Sequence, residues 1–135
     1  CIMIRSITLL VLALFAFDAQ TCPIDPWYRV AKDYERFFEE ADVVFLGKLD
    51  SYEKSGKYDQ LADFTVVKSF KGVMNFGESV TVKNRHNSSC SRLFHPVNSA
   101  FYVFAKMSEA DGLIINGYAT FVPMSVALET DMGLK

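Results

Sequence analysis

Hydrophobic positions along this chain fall into three successive textures. The first is a continuous run, Ile7 to Phe17, eleven residues long and preceded by Arg5. The second is helical. Between Tyr28 and Ala41 the apolar residues Val30, Tyr34, Phe37, Phe38 and Ala41 recur at helical spacing, while Arg29, Lys32, Asp33, Glu35, Arg36, Glu39 and Glu40 fill the other face. Pro26 suits a first helical turn, Asp25 suits a cap, and Arg36 and Glu40 are spaced for a weak pair. The pattern predicts one amphipathic helix packed on a larger body.

The third texture is a series of short β-type runs divided by polar turns. Val43 to Leu49 is the first, with Gly47 marking a bulge or bend. Ser51 to Asp59 reads as an exposed loop. Leu61 to Phe70 alternates, placing Ala62, Phe64 and Val66 on one face, and Lys71-Gly72 turns the chain. Ser79 to Lys83 follows, then a polar loop from Asn84 to Ser91. Ala100 to Ala105 is apolar on both faces and therefore central, and Gly112 to Tyr118 completes the set. A short helix is expected around Pro123 to Glu129. Five strands at short intervals predict a mainly β fold: a small antiparallel barrel with an N-terminal helix and a short C-terminal helix.

Composition narrows the class. With 135 residues, 50% hydrophobic and 14% aromatic, the chain has ample material for one core and is too apolar for disorder. Its net charge of −2 leaves no basic footprint, so neither nucleic acid nor an anionic membrane is the expected partner.

The opening run has the form of a secretory signal: a positive start, then an apolar stretch about half as long as the ~20 residues of a membrane-spanning helix. Residues 1–21 are expected to form this leader, with Met3 as initiator and Cys1-Ile2 as an artefact of the start. Residues 22–135 then form a single domain, with no membrane segment once the signal is removed. Signal peptidase favours small residues one and three positions before its cut, which Thr21 and Ala19 supply; a cut after Ala19 would place the bulky Phe17 there. The favoured cut makes Cys22 the first residue of the mature chain. It also removes Cys1, leaving Cys22 and Cys90, which in a secreted protein most simply form one disulfide. In the chain-entropy model so long a closed loop contributes about 4 kcal/mol. The sequon Asn87-Ser88-Ser89, an acceptor for N-glycosylation, agrees with secretion.

No catalytic constellation is visible. His86 and His95 occupy separate loop positions, without HExxH or CxxC, and are expected to be solvated. Glu39-Glu40-Asp42 reads as a solvated helix end, and there is no phosphate loop. The chain looks like a binding protein.

Several fragments recur in a telling order. Cys22 is followed by proline-containing residues and a helix, then by Ala41-Asp42-Val43-Val44-Phe45-Leu46-Gly47 and Lys68-Ser69-Phe70-Lys71-Gly72. Val80-Thr81-Val82 leads to Ser89-Cys90, and Asp111-Gly112-Leu113 and Phe121-Val122-Pro123 close the series. In order and spacing these resemble the N-terminal, netrin-like domain of the tissue inhibitors of metalloproteinases (TIMPs), from Cys22 to about Val126.

That resemblance implies a five-stranded barrel of the oligonucleotide/oligosaccharide-binding (OB) type with flanking helices. It also implies that Cys22 begins the mature chain, bridged to Cys90, and that its α-amino nitrogen and carbonyl oxygen bind the catalytic zinc of the target protease. The chemistry is coherent. An α-amine has a pKa near ~8, low enough for zinc to displace its proton, and the two atoms close a five-membered ring in the position that catalytic zinc keeps open for water. The implied inhibitory ridge is Cys22, Pro23, Ile24 and Asp25, with Ser88, Ser89 and Cys90 beside it. The only metal is the protease's zinc, and the chain needs no cofactor of its own. The implied partner is an extracellular zinc metalloproteinase, bound by a secreted monomer.

The chain departs from the family pattern at defined points. Ile24 replaces a second cysteine, whose partner is missing near Tyr118-Ala119, and Pro23 stands where the family presents Thr or Ser. A glycan on Asn87 would sit three residues from Cys90. The family's C-terminal domain is not expected after the barrel, a resemblance to single-domain invertebrate-type members. The alternative expectation is a netrin-like extracellular binding module that inhibits nothing, in which the Cys22–Cys90 bond is purely structural.

Overall fold

In the computed structural model, which describes residues 26–56, 59–72, 74–85, 92–110, 112–116 and 120–130, the segment expected to form one helix is divided. Helix α1 spans Pro26–Lys32 and α2 spans Tyr34–Glu40. Hydrogen bonds nearly bridge the division. Asp33 N–H donates to Arg29 O at 3.1 Å, and Asp33 O accepts from Arg36 and Phe37 N–H at 3.0 and 3.3 Å. Asp33 leaves helical geometry at φ −109°, ψ 26°. Val30 and Ala31 of α1 are buried, whereas α2 buries no residue fully. Arg36 meets Asp33 at 3.5 Å, three residues back, and not Glu40.

The strands are β1 (Val43–Ser55), β2 (Asp59–Lys71), β3 (Ser79–Arg85), β4 (Ala100–Ser108), β5 (Gly112–Asn116) and β6 (Phe121–Pro123), followed by helix α3 (Met124–Glu129). Their order in the sheet is β1-β2-β3-β5-β4-β6, and β1 also pairs with β4, which closes five strands into a ring. The expected mainly β, OB-type barrel is therefore present, with β6 pairing with β4 from Phe101 to Val103, beside the part of β4 that β5 occupies.

Two details differ from expectation. The barrel is not wholly antiparallel: β3 and β5 run parallel from Val82↔Leu113 to Arg85↔Asn116. A parallel neighbour needs a crossover, and the chain makes it by way of β4. Within the expected loop Ser51 to Asp59, Ser51 to Ser55 and Asp59 are strand, because β1 and β2 keep pairing from Ser51↔Asp63 to Ser55↔Asp59. Ser51, Tyr52, Glu53 and Lys54 are all exposed on this projecting arm, so they lack the apolar alternation that marks a strand with one buried face. Gly47 does sit at an irregularity, where the β1–β2 register shifts between Leu46 and Gly47. A Cβ there would lie 2.7 Å from Phe45 Cε2 and 3.1 Å from Phe64 Cδ1.

Strand β4 is apolar on both faces because it separates two cores. Inside the barrel, Phe45, Leu49, Phe64, Val82, Phe101, Val103 and Phe121 pack together. Outside it, Val44, Phe104 and Val122 meet Val30, Ala31, Val126 and Ala127 of the helices. Alternate residues of β1, β4 and β6 thus serve opposite cores, the period-2 consequence of strand geometry. Phe94 belongs to no strand, yet it is completely buried in the inner core. Its ring lies 4.8 Å from Phe64 and 4.1 Å from Phe121, so the segment before β4 plugs the barrel. Its burial contributes roughly 2–3 kcal/mol.

Candidate functional site

The expected ridge residues Cys22, Pro23, Ile24, Asp25, Ser88, Ser89 and Cys90, with Asn87 and His86, lie outside the described residues. What the structure describes is the ground on which they are rooted. One half of the ridge leads directly into α1 at Pro26. The other lies between Arg85, the last residue of β3, and Arg92.

These roots meet. The guanidinium carbon of Arg92 lies over the Trp27 ring, 5.6 Å from its centroid, a cation–π contact. Trp27 in turn packs edge-on against Phe121 at 6.2 Å, which ties α1 to β6. The neighbouring Tyr28 hydroxyl donates to Glu129 at 2.8 Å, joining α1 to the end of α3. Helix α1 is thereby fixed at its first turn to the same face from which Arg92 emerges.

Beneath Arg92 lies a buried polar clasp. Gln60 of β2 and Asn84 of β3 point to the inside of the barrel, 2% and 0% exposed. The Gln60 amide pairs with the Phe94 backbone twice: Nε2 donates to Phe94 O at 2.9 Å, and Oε1 accepts Phe94 N–H at 2.9 Å. Asn84 Nδ2 donates to Arg92 O at 2.9 Å and to Gln60 Oε1 at 3.3 Å. The amide orientations follow from these partners, since a flipped Asn84 would set oxygen against two carbonyl oxygens. Two buried amides thus grip the backbone immediately after the ridge.

The remaining candidates separate. His95 is exposed beside the barrel mouth, as expected of a solvated histidine. Glu39 and Glu40 are exposed at the end of α2, but the Asp42 carboxylate accepts Met107 N–H at 2.8 Å and so joins the strand region. Among the described residues no group of three His, Cys, Asp or Glu side chains is placed to hold a metal ion. No described helix is long and apolar enough to cross a membrane.

The described residues form, among others, two depressions. A groove of about 510 Å³ runs between α3 and the 95–100 segment, with Trp27, Pro96, Phe101, Met124 and Leu128 in its lining. A smaller pocket of about 240 Å³ lies under α2, floored by Phe104 and Ala41 and flanked by Glu40 and Lys106.

The sequence reading passed over Trp27, Arg92, Gln60 and Asn84. A signal for the last two was present. Gln60 lies two residues before Ala62 and Asn84 two after Val82, so both continue an inward-facing alternation as polar residues, and a polar group on that face needs a partner. No protein-family model matches the chain, and no curated protein matches it.

Proposed function

We propose that this chain is a secreted inhibitor of extracellular zinc metalloproteinases, of the TIMP type, acting through the α-amine and carbonyl of Cys22. The observation that carries the reading is the Trp27–Arg92 contact. Cys22 is five residues from Trp27 and Cys90 two from Arg92. At about 3.5 Å per extended residue these tethers reach ~17 and ~7 Å, which suffices to bring two Cα atoms to the ~5.5 Å of a disulfide. The closed barrel supports the reading from below, since it supplies a rigid base from which a short ridge can project into a cleft.

In this reading the Cys22 amine displaces the zinc-bound water and loses its proton to solvent, and the carbonyl completes the chelate. Cys90 holds the terminus so that little entropy is lost on docking. Pro23, Ile24 and Asp25 follow along the protease cleft, with Ser88 and Ser89 at their side. Pro23 offers neither a backbone donor nor a hydroxyl, so its contribution is shape.

The test is titration of a matrix metalloproteinase with protein whose mature end is established by intact mass as Cys22. Stoichiometric loss of activity is expected. A second preparation carrying one alanine before Cys22 converts the amine to an amide and should weaken inhibition at least about a hundredfold, or ~3 kcal/mol. A flat activity curve at micromolar wild-type protein removes the proposal. It would leave the second reading, a non-inhibitory netrin-like binding module, which the apolar groove favours with its exposed Met124 and Leu128.

A further inference from the structure

Strand β1 outruns its neighbour on one side. It pairs with β2 along its whole length, but with β4 only from Val43 to Lys48. One step further, Leu49 N–H donates to Ser99 O at 2.9 Å and Leu49 O accepts Asn98 N–H at 2.7 Å. Asn98 has a φ of 74°, and the covering chain pairs no further along the strand. From Ser51 to Ser55 the side of β1 away from β2 therefore makes no backbone hydrogen bond among the described residues. Such an edge is a template for one more strand.

This edge is held in shape before anything meets it. Behind it, β2 pairs with β3 from Asp59↔Arg85 to Thr65↔Ser79. The Asp63 carboxylate accepts the hydroxyls of Ser51 and Thr81, Asp50 accepts that of Thr65, and Lys83 lies 3.7 Å from Asp59. A strand already ordered loses little entropy when it is joined.

The side chains state what should join it. Tyr52 and Lys54 share one face with Ala62 and Gln60, whereas Ser51 and Glu53 share the other with Asp63 and Leu61. Glu53 and Lys54 are both exposed and form no ion pair among the described residues. Lying on opposite faces, they cannot neutralise each other. Each is open to a partner directly across a new seam, and Tyr52, 46% exposed, offers an apolar surface beside them.

A second copy of the edge does not supply those partners. Two-fold antiparallel pairing centred on Glu53 or on Lys54 sets like charges face to face. Centred on Ser51 or Tyr52, it drives the other strand along Leu49, whose edge Asn98 and Ser99 already hold. Centred on Ser55, it engages a single residue of the edge with its own copy.

We propose that Ser51 to Ser55 is a docking strand for an extended segment of another protein, bound antiparallel. That segment carries an acidic residue opposite Lys54, a basic one opposite Glu53 and an aromatic one opposite Tyr52. Main-chain hydrogen bonds hold it, and the alternating side chains select it. The proposal goes beyond the Cys22 reading and does not rest on it.

The test uses the full isotope-labelled chain and the peptide acetyl-TVERYTV-amide, followed by amide resonances. The Ser51 to Ser55 amides should shift in a saturable way, and their hydrogen exchange should slow at least about fivefold at saturation. The peptide TVREYTV, with its two charges exchanged, should bind at least about fivefold more weakly. The double variant Glu53→Lys, Lys54→Glu should reverse that preference. Because the wild type is compared with two peptides, the result stands even if the variant does not fold. No saturable change at millimolar peptide, changes centred outside the arm, or equal binding of the two peptides overturns the proposal. So does concentration-dependent protection of the same amides without peptide, which would make a second copy the occupant. Failure to inhibit a metalloproteinase would alter none of these readouts.

Discussion

Lys71 shows how a single side chain settles a conflict between charge and helix direction. Glu39 and Glu40 end α2, where the carbonyl end of the helix disfavours negative charge. The Lys71 ammonium donates to Phe38 O at 2.8 Å and Glu39 O at 3.1 Å, and lies 5.4 Å from the centre of the Phe38 ring. It caps the orphan carbonyls from a strand, across 32 residues of chain. Lys71→Met should lower stability by about 1 kcal/mol, seen as a fall of roughly 4 °C or more in thermal unfolding followed by circular dichroism. A surface lysine without this role would leave the melting temperature unmoved. In the sequence Lys71 is only one half of a Lys-Gly turn. Its role comes from a partner far along the chain, which no local pattern records.

Among the elements, Gly47 is the position where sequence and geometry agree most closely. The glycine marked an irregularity, and the structure explains why a larger residue fails there. Phe45 is completely buried and packs edge-on against Phe64 at 5.9 Å, so its ring cannot retreat from an added methyl group. Gly47→Ala is expected to cost about 1–3 kcal/mol in denaturant unfolding, with the midpoint shifted and the slope unchanged. The strands with one buried face were legible because Ala62, Phe64 and Val66 alternate as expected and are all buried. Elements that escape a one-face pattern were not. The β1 side of the β1–β2 extension, Ser51 to Lys54, is exposed throughout, β6 is three residues long, and the break at Asp33 interrupts an otherwise continuous helical spacing.

At the scale of the molecule, the double-sided apolarity of Ala100 to Ala105 announced a central strand, and β4 is central in the fullest sense, with β1, β5 and β6 as neighbours. The parallel β3–β5 seam was not legible, because it depends on which edges remain free after the antiparallel pairs have formed. The candidate site divides in a similar way. Its chemistry was proposed from Cys22 and Cys90, whereas the Trp27–Arg92 contact emerges only when chain segments far apart in sequence are brought together, and Gln60 and Asn84 show in the sequence only as polar residues on an inward-facing alternation.

Trp27 is the only tryptophan of the chain, and it stands with Arg92 over it, five residues after Cys22 in sequence and against the residue two after Cys90. The molecule therefore carries an optical gauge at that contact. Selective reduction of a bridge between Cys22 and Cys90 should shift or brighten the indole emission before any loss of β-sheet signal. Docking of a tryptophan-free partner peptide at the same contact should change that emission in a saturable way. An emission spectrum indifferent to reduction would mean that the two segments are not coupled through this indole.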